Sequence, residues 1–217
     1  MMTCGCCLGD SVERQFGPEK VAQELQLYRR KGAGSTTRLL RDGLATAGLT
    51  SGELLDVGAG FGALTFELLD RGMSRATVVE MSSAYLAAAI EEAARRGRSS
   101  SVHTVHGDFV AVAPGLPAST VVTLDRVVCC YPSPEPLLEQ ALGHAKHGFA
   151  FSYPRDRWYV RVGVWLENAL RRWRGNSFRT FVHPAGRMHQ LIEREGFTLA
   201  SRRCSLAWCA DVFMKRV

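Results

Sequence analysis

The run Glu53-Leu-Leu-Asp-Val-Gly-Ala-Gly-Phe-Gly-Ala-Leu64 constrains the fold more than any other stretch of this chain. Its first half reads as a buried strand ending at Asp56; its glycines read as a tight turn that opens a helix. Glycines in such a turn let the backbone approach a nucleotide cofactor closely. A second strand-like run, Ala76-Thr-Val-Val-Glu80, ends on an acid placed to grip a pair of ribose hydroxyls. Further strand candidates lie at 101–106, 120–125 and 147–153, with helix candidates at 61–71, 82–96 and 132–145 between them. Strands alternating with helices predict a parallel sheet covered on both faces.

After the fifth strand the pattern changes. A helix-like segment spans 156–174 with Trp158, Val162, Trp165, Ala169 and Trp173, and a second helix candidate spans 184–195. Two last strand-like runs, 196–203 and 206–214, lie too close together for a crossover helix and should pair antiparallel. The expected fold is α/β: a doubly wound, Rossmann-like, mostly parallel seven-stranded sheet with an antiparallel last strand and a helical cap insert over 155–182. One domain of 217 residues is expected. Residues 1–17 read as a flexible leader holding Cys4, Cys6 and Cys7, and 18–50 as N-terminal helices, with Val21, Leu25 and Tyr28 at helical spacing.

The net charge of +6 permits anionic partners without demanding them. No RNA-binding module is apparent, so no nucleic-acid partner is expected. No apolar run is long enough to span a bilayer, and Met1-Met-Thr-Cys-Gly-Cys-Cys7 lacks a secretory pattern. Seven scattered cysteines suggest a reduced, cytoplasmic protein rather than a disulfide scaffold. The Cys4, Cys6, Cys7 cluster lacks a second half, and a tetrahedral site wants four ligands, so no metal is expected.

Gly58, Gly60 and Ala63 also fit the dinucleotide pattern, and that match alone is weak. Three features point away from a dinucleotide. Asp56 sits two residues before the first glycine, poorly placed beside a pyrophosphate but well placed to meet an ammonium group. Gly62 adds a third, closely spaced glycine that suits a small amino-acid moiety. About 50 residues precede the first strand, more than is usual for a dinucleotide domain.

With these residues the chain resembles the class I S-adenosylmethionine-dependent methyltransferases. Asp-Val-Gly-Ala-Gly-Phe-Gly at 56–62 matches their glycine motif, including Gly58, Ala59, Gly60 and Gly62. Glu80, followed by Met81, matches their ribose-binding acid. Gly-Asp-Phe at 107–109 matches the motif that reads adenine, with Asp108 accepting from the exocyclic amine and Phe109 beside it. Thr123-Leu-Asp-Arg126, containing Leu124 and Asp125, matches the motif beside the reacting methyl. The resemblance narrows toward small bacterial relatives of magnesium-protoporphyrin O-methyltransferase. It does so on 124–132, Tyr-Pro-Arg at 153–155, Tyr28-Arg-Arg-Lys-Gly32 and 178–184; Cys130 stands where the chlorophyll-pathway enzymes usually carry His.

The resemblance implies S-adenosylmethionine as cofactor and a small-molecule acceptor, anionic or aromatic, with a carboxyl or hydroxyl oxygen favoured. A carboxylate acceptor needs no base, whereas a hydroxyl must lose its proton. Tyr28, Asp125 and Tyr131 are the expected catalytic or positioning residues, with Tyr28 over the methionine end of the cofactor. Arg155, Arg157 and His183 are the expected substrate contacts, and the three tryptophans of the insert would cap a flat acceptor. Tryptophan beside arginine also suits contact with a membrane surface. The rival readings are an NAD(P)-dependent oxidoreductase and a cofactor-binding protein without catalysis.

Overall fold

The computed structural model describes residues 5–216, with no side chains described before residue 9. Seven strands form one sheet in the order β3-β2-β1-β4-β5-β7-β6. They are β1 (Gly52–Val57), β2 (Met73–Glu80), β3 (Val102–His106), β4 (Ser119–Leu124), β5 (Ala145–Pro154), β6 (Phe197–Cys204) and β7 (Trp208–Lys215). β1 pairs parallel with both β2 and β4, and parallel pairing extends to β3 and β5. β7 inserts antiparallel between β5 and β6. The short β6–β7 connection leaves no room for a crossover, so that pair can only run antiparallel.

Side chains along each strand point to alternate faces, which divides the core in two. Leu54, Val121, Ala150 and Val212 pack under helices α3 (Ser35–Thr46) and α4 (Ala63–Leu69). Their neighbours Leu55, Val122, Phe149, Phe151 and Phe213 face the other way, against α7 (Glu135–His144) and α9 (Ala185–Arg194). Apolar residues on both faces give the near-continuous hydrophobic runs seen in the sequence. α2 (Pro18–Lys31) lies on α5 (Ser83–Arg95), where Val21, Leu25 and Tyr28 meet Tyr85 and Ala88. α6 (Phe109–Val112) follows β3, and α8 (Trp158–Trp173) follows β5.

Three expectations need correction. The flexible leader is a helix, α1 (Gly5–Gln15), over most of its length. Val12 is buried, Glu13 accepts from the Ser83 backbone amide at 2.9 Å, and Phe16 packs edge-on against Phe178. These contacts are all long-range, so local spacing did not announce them. Cys4 and the side chains of Cys6 and Cys7 lie outside the described residues. Second, the cysteines are not all reduced: Cys204 and Cys209 are register partners across the β6–β7 hairpin and form a disulfide. The cytoplasmic expectation drawn from scattered thiols loses that support. Third, the tryptophans of α8 face outward, with Trp158, Trp165 and Trp173 at 76%, 66% and 82% exposure. They cannot cap an acceptor held within the fold. Among the described residues no helix is long and apolar enough to cross a membrane.

Candidate active site

The direction of the strand order reverses around β1 and β4, and a cavity of about 330 Å³ opens there. Crevices at such a switch point, outside the carboxyl ends of the strands, are where open α/β sheets bind ligands. The glycine turn forms its floor. Gly58, Gly60 and Gly62 have φ of 60°, 59° and 85°, the left-handed region where a side chain is disfavoured. A Cβ on Gly58 would also lie 2.6 Å from Val127 Cγ2. Gly62 is the N-cap of α4 and does not line the cavity itself.

Carboxylates gather around this turn. Glu80 at the end of β2 accepts from the backbone amides of Gly60, Met81 and Ser82, each at 2.8 Å. Burial raises the Glu80 pKa and those three amides oppose the rise. Asp56 at the end of β1 is fully buried and accepts from Thr65 and Thr123 hydroxyls, both at 2.7 Å. Burial pushes its carboxyl up to about 6, against the two hydroxyls. Asp125, just past β4, accepts from Thr37 and Ser152 hydroxyls at 2.6 Å each. The next residue, Arg126, has φ 63° and is the only non-glycine with positive φ among the described residues. Its amide donates to Ser152 Oγ at 2.8 Å, which ties the Asp125–Arg126 turn to β5. Backbone held in this region by its surroundings is typical of functional sites.

The opposite wall comes from elements that carry no motif. Lys20 and Glu24 enter from α2, and Glu167 and Arg171 from α8. Lys20 lies 4.5 Å over the Phe16 ring, and burial pulls its ammonium below the ordinary range, opposed by Glu24. Tyr85 donates to Glu24, and burial followed by that carboxylate raises the phenol's pKa. Arg171 donates to Thr180 Oγ1 at 2.9 Å and stands 5.2 Å over Phe178. Sequence reasoning missed Lys20, gave Arg171 no substrate role and read Arg126 only as the last residue of the 123–126 motif. Only the one-turn spacing of Lys20 and Glu24 hinted that two of these charges share a helix face.

The residues singled out from the sequence divide between this cavity and other places. Asp56, Gly58, Ala59, Gly60, Glu80, Met81, Phe109, Asp125 and Tyr131 line it. Leu124 is buried in the core beneath. Asp108 caps α6, accepting from Val110 N at 3.2 Å and from the Tyr131 hydroxyl at 2.6 Å. Burial, then Asp108, raises the Tyr131 phenol far above its ordinary value, which removes it as a base. Tyr28 packs on Phe61 in the α2–α5 interface, and its hydroxyl accepts from Arg96 at 3.1 Å. It does not reach the cavity. Arg155 donates to the Ser205 carbonyl at 3.1 Å, and Arg157 is exposed at the N-cap of α8. His183 sits in a separate cleft with Nε2 2.9 Å from the Tyr131 carbonyl. These last three do not line the cavity: Arg155 is turned to the β6–β7 connection, His183 to the segment after β4, and Arg157 to solvent.

The donor set fits one kind of cofactor. A wall bearing Asp56, Glu80 and Asp125 repels a pyrophosphate and favours a ligand with ammonium and sulfonium charges. The narrow glycine floor leaves room for backbone-level approach.

Comparison with known proteins agrees. Residues 54–148 match the family described as methyltransferase domain. The fold is similar to magnesium protoporphyrin IX methyltransferase from Synechocystis with bound S-adenosylhomocysteine. That likeness has a TM-score of 0.71 at 13% identity, covering 94% of this chain and 98% of that one. A second structure of the Synechocystis enzyme, with S-adenosylmethionine bound, gives 0.65 at 14% identity over 95% and 90% of the two chains. A putative sarcosine dimethylglycine methyltransferase from Galdieria sulphuraria gives 0.65 at 12% identity, covering 83% of this chain and 85% of that one. None of the curated proteins matches this chain in sequence. The structural likenesses carry the fold, and the family match spans the stretch that holds the glycine turn, Glu80, Asp108 and Asp125. Residues 54–148 form a methyltransferase domain, on the fold seen in structures that hold S-adenosylmethionine or S-adenosylhomocysteine.

Proposed function

We propose that the acceptor is a small anionic aromatic molecule, porphyrin-like in its carboxylates and flat apolar body, methylated on a carboxyl or hydroxyl oxygen. The observation that carries this reading is the meeting of Lys20, Arg126 and Arg171 with Phe16 and Phe178 in the cavity that holds the glycine turn. Cationic groups beside aromatic faces suit a flat acceptor with carboxylates.

S-adenosylmethionine supplies a methyl already activated on a sulfonium. The chain has to align the two reactants and exclude water. In this reading Glu80, fixed by three amides, presents its carboxylate to the ribose hydroxyls. Asp56 and the Gly58–Gly62 turn take the amino-acid end. Asp108, Phe109 and Met81 surround the adenine, and Leu124 backs the turn from the core. Asp125 faces the reacting centre, oriented by Thr37 and Ser152. An acceptor carboxylate needs no deprotonation there; an acceptor hydroxyl would pass its proton to Asp125, whose oxygens keep a further lone pair each.

The test is transfer of labelled methyl from S-adenosylmethionine to porphyrin carboxylates and simpler aryl carboxylates. Lys20→Gln should raise the KM for an anionic acceptor about tenfold or more, with calorimetric affinity for S-adenosylhomocysteine unchanged. Equal KM changes for anionic and neutral acceptors would exclude Lys20 as the anion contact. Arg155→Ala, on its loop carbonyl, should leave the KM ratio of acceptor to cofactor unchanged.

A further inference from the structure

α8 is amphipathic in the reverse of the usual sense. Its inward side is polar in part. Val160 is buried, while Asn168 donates to the Thr180 carbonyl at 2.7 Å and Arg171 to the Thr180 hydroxyl. Its outward side is apolar. At 3.6 residues per turn, Trp158, Val162, Trp165, Ala169 and Trp173 fall within an arc of about 80° centred opposite Val160. Leu166 and Leu170 flank that arc and are also exposed. Leu206, 78% exposed in the β6–β7 turn, joins the surface through its carbonyl, which accepts from the Tyr159 hydroxyl at 2.8 Å. A contiguous exposed apolar strip of this kind marks an interaction surface.

The charges around the strip say what covers it. Residues 155–175 carry six arginines and two acids. Both acids are spoken for, Asp156 by Arg161 and Glu167 by Arg171. Arg157, Arg172 and Arg174 are exposed without a carboxylate partner among the described residues. A second copy of the chain would bring like-charged rims together. One face of a 16-residue helix, roughly 24 Å by 10 Å, also falls well short of the roughly 800 Å² per partner that a stable dimer buries. Tryptophans flanked by arginines suit the boundary between headgroups and acyl chains, with the guanidinium groups on lipid phosphates.

We propose that the outward face of α8 docks peripherally on an anionic phospholipid bilayer, Trp158, Trp165 and Trp173 entering the headgroup boundary and Arg157, Arg172 and Arg174 engaging lipid phosphates. The inward face of the same helix supplies Glu167 and Arg171 to the cavity, so docking sets the wall of the active site against the bilayer. An anionic aromatic acceptor whose flat body rests in the headgroup boundary would then lie close to the site. The docking itself does not depend on which acceptor is used.

Flotation of the full chain with vesicles of phosphatidylcholine alone, and with about 30% phosphatidylglycerol added, tests this. Binding is expected on the anionic vesicles, with a blue shift of tryptophan emission, and should weaken sharply in 0.5 M salt, where the Debye length falls to about 4 Å from about 10 Å at 0.1 M. The triple variant Trp158→Ser, Trp165→Ser, Trp173→Ser should lose at least about tenfold in vesicle binding while keeping its calorimetric affinity for S-adenosylhomocysteine. Arg172→Gln with Arg174→Gln should lose the preference for anionic vesicles. No binding by the wild type, equal binding to neutral vesicles, or full binding by the triple variant would each overturn the proposal. So would a concentration-dependent dimer in sedimentation that the triple variant abolishes, which would assign the strip to a second copy.

Discussion

Asp56 is where cofactor affinity and pH should be coupled. Burial lifts its carboxyl to about 6, from an ordinary 3.8, even though two threonine hydroxyls donate to it. An acid raised in the folded state contributes most to stability below its ordinary value, and that contribution fades as pH rises through about 6. The gap corresponds to about 3 kcal/mol lost between pH 4 and pH 6 in the ligand-free protein. A ligand bearing an ammonium group has the opposite preference, for the charged carboxylate. Affinity for S-adenosylhomocysteine should therefore fall about tenfold per pH unit below 6, and Asp56→Asn should bind more weakly but with a flat profile. Calorimetry between pH 5 and pH 8 checks both. An unchanged slope in Asp56→Asn would move the titration to Glu80, the other buried carboxylate at the turn. Asp56, Glu80 and Asp125 were legible in the sequence because each ends a strand at a fixed distance from a glycine turn or the next strand. The meeting of Lys20, Arg126 and Arg171 was not, because three separate elements bring them together and no spacing along the chain records that.

At the scale of elements, the β6–β7 hairpin carries the least predictable stabilisation. Cys204 and Cys209 are five residues apart, a separation that reads as an ordinary hairpin until the strands are paired. Loop-closure entropy for so short a loop gives about 2 kcal/mol, so Cys204→Ser with Cys209→Ser should lower stability by about that amount in urea unfolding. Beside the hairpin, Asp211 of β7 is fully buried and accepts from Tyr153 at 2.8 Å, His189 at 2.7 Å and Arg202 at 2.9 Å. Burial raises its pKa, but those three partners together outweigh burial and hold it below the ordinary value. Its contribution is therefore present above pH 4 and lost only as pH falls through the depressed value. Asp211→Ala should cost about 3 kcal/mol, because it leaves buried donors unpaired. α8 shows the limit of periodicity: 3.6-residue spacing identified the helix and its apolar stripe, but not whether the stripe turns toward the sheet or toward solvent. The stripe reads as a cap until Val160 and Arg171 are seen to claim the inner side.

The segment after α1 and the segment after α8 meet beside the cavity. Gln15 at the end of α1 accepts from Asn176 beyond α8 at 2.8 Å, and Phe16 meets Phe178 just beyond. The sheet order was legible because strands and helices alternate strictly from β1 to β5, and the handedness of such crossovers leaves few arrangements. This junction was not, since it joins residues more than 150 apart through side chains with no repeating pattern. A ligand held between the glycine turn and this junction binds the folded chain alone and stabilises it by mass action. At a hundred times its Kd, S-adenosylhomocysteine should add about 2.7 kcal/mol and raise Tm by roughly 5–10 °C for a chain of this size. NADH at the same concentration should shift nothing, because its pyrophosphate would face Asp56, Glu80 and Asp125. Thermal unfolding with each ligand reads this directly. A shift with NADH equal to that with S-adenosylhomocysteine would show that the carboxylates do not set the charge of the ligand. A shift with S-adenosylhomocysteine that survives Asp56→Ala and Glu80→Ala would place the cofactor elsewhere in the cavity.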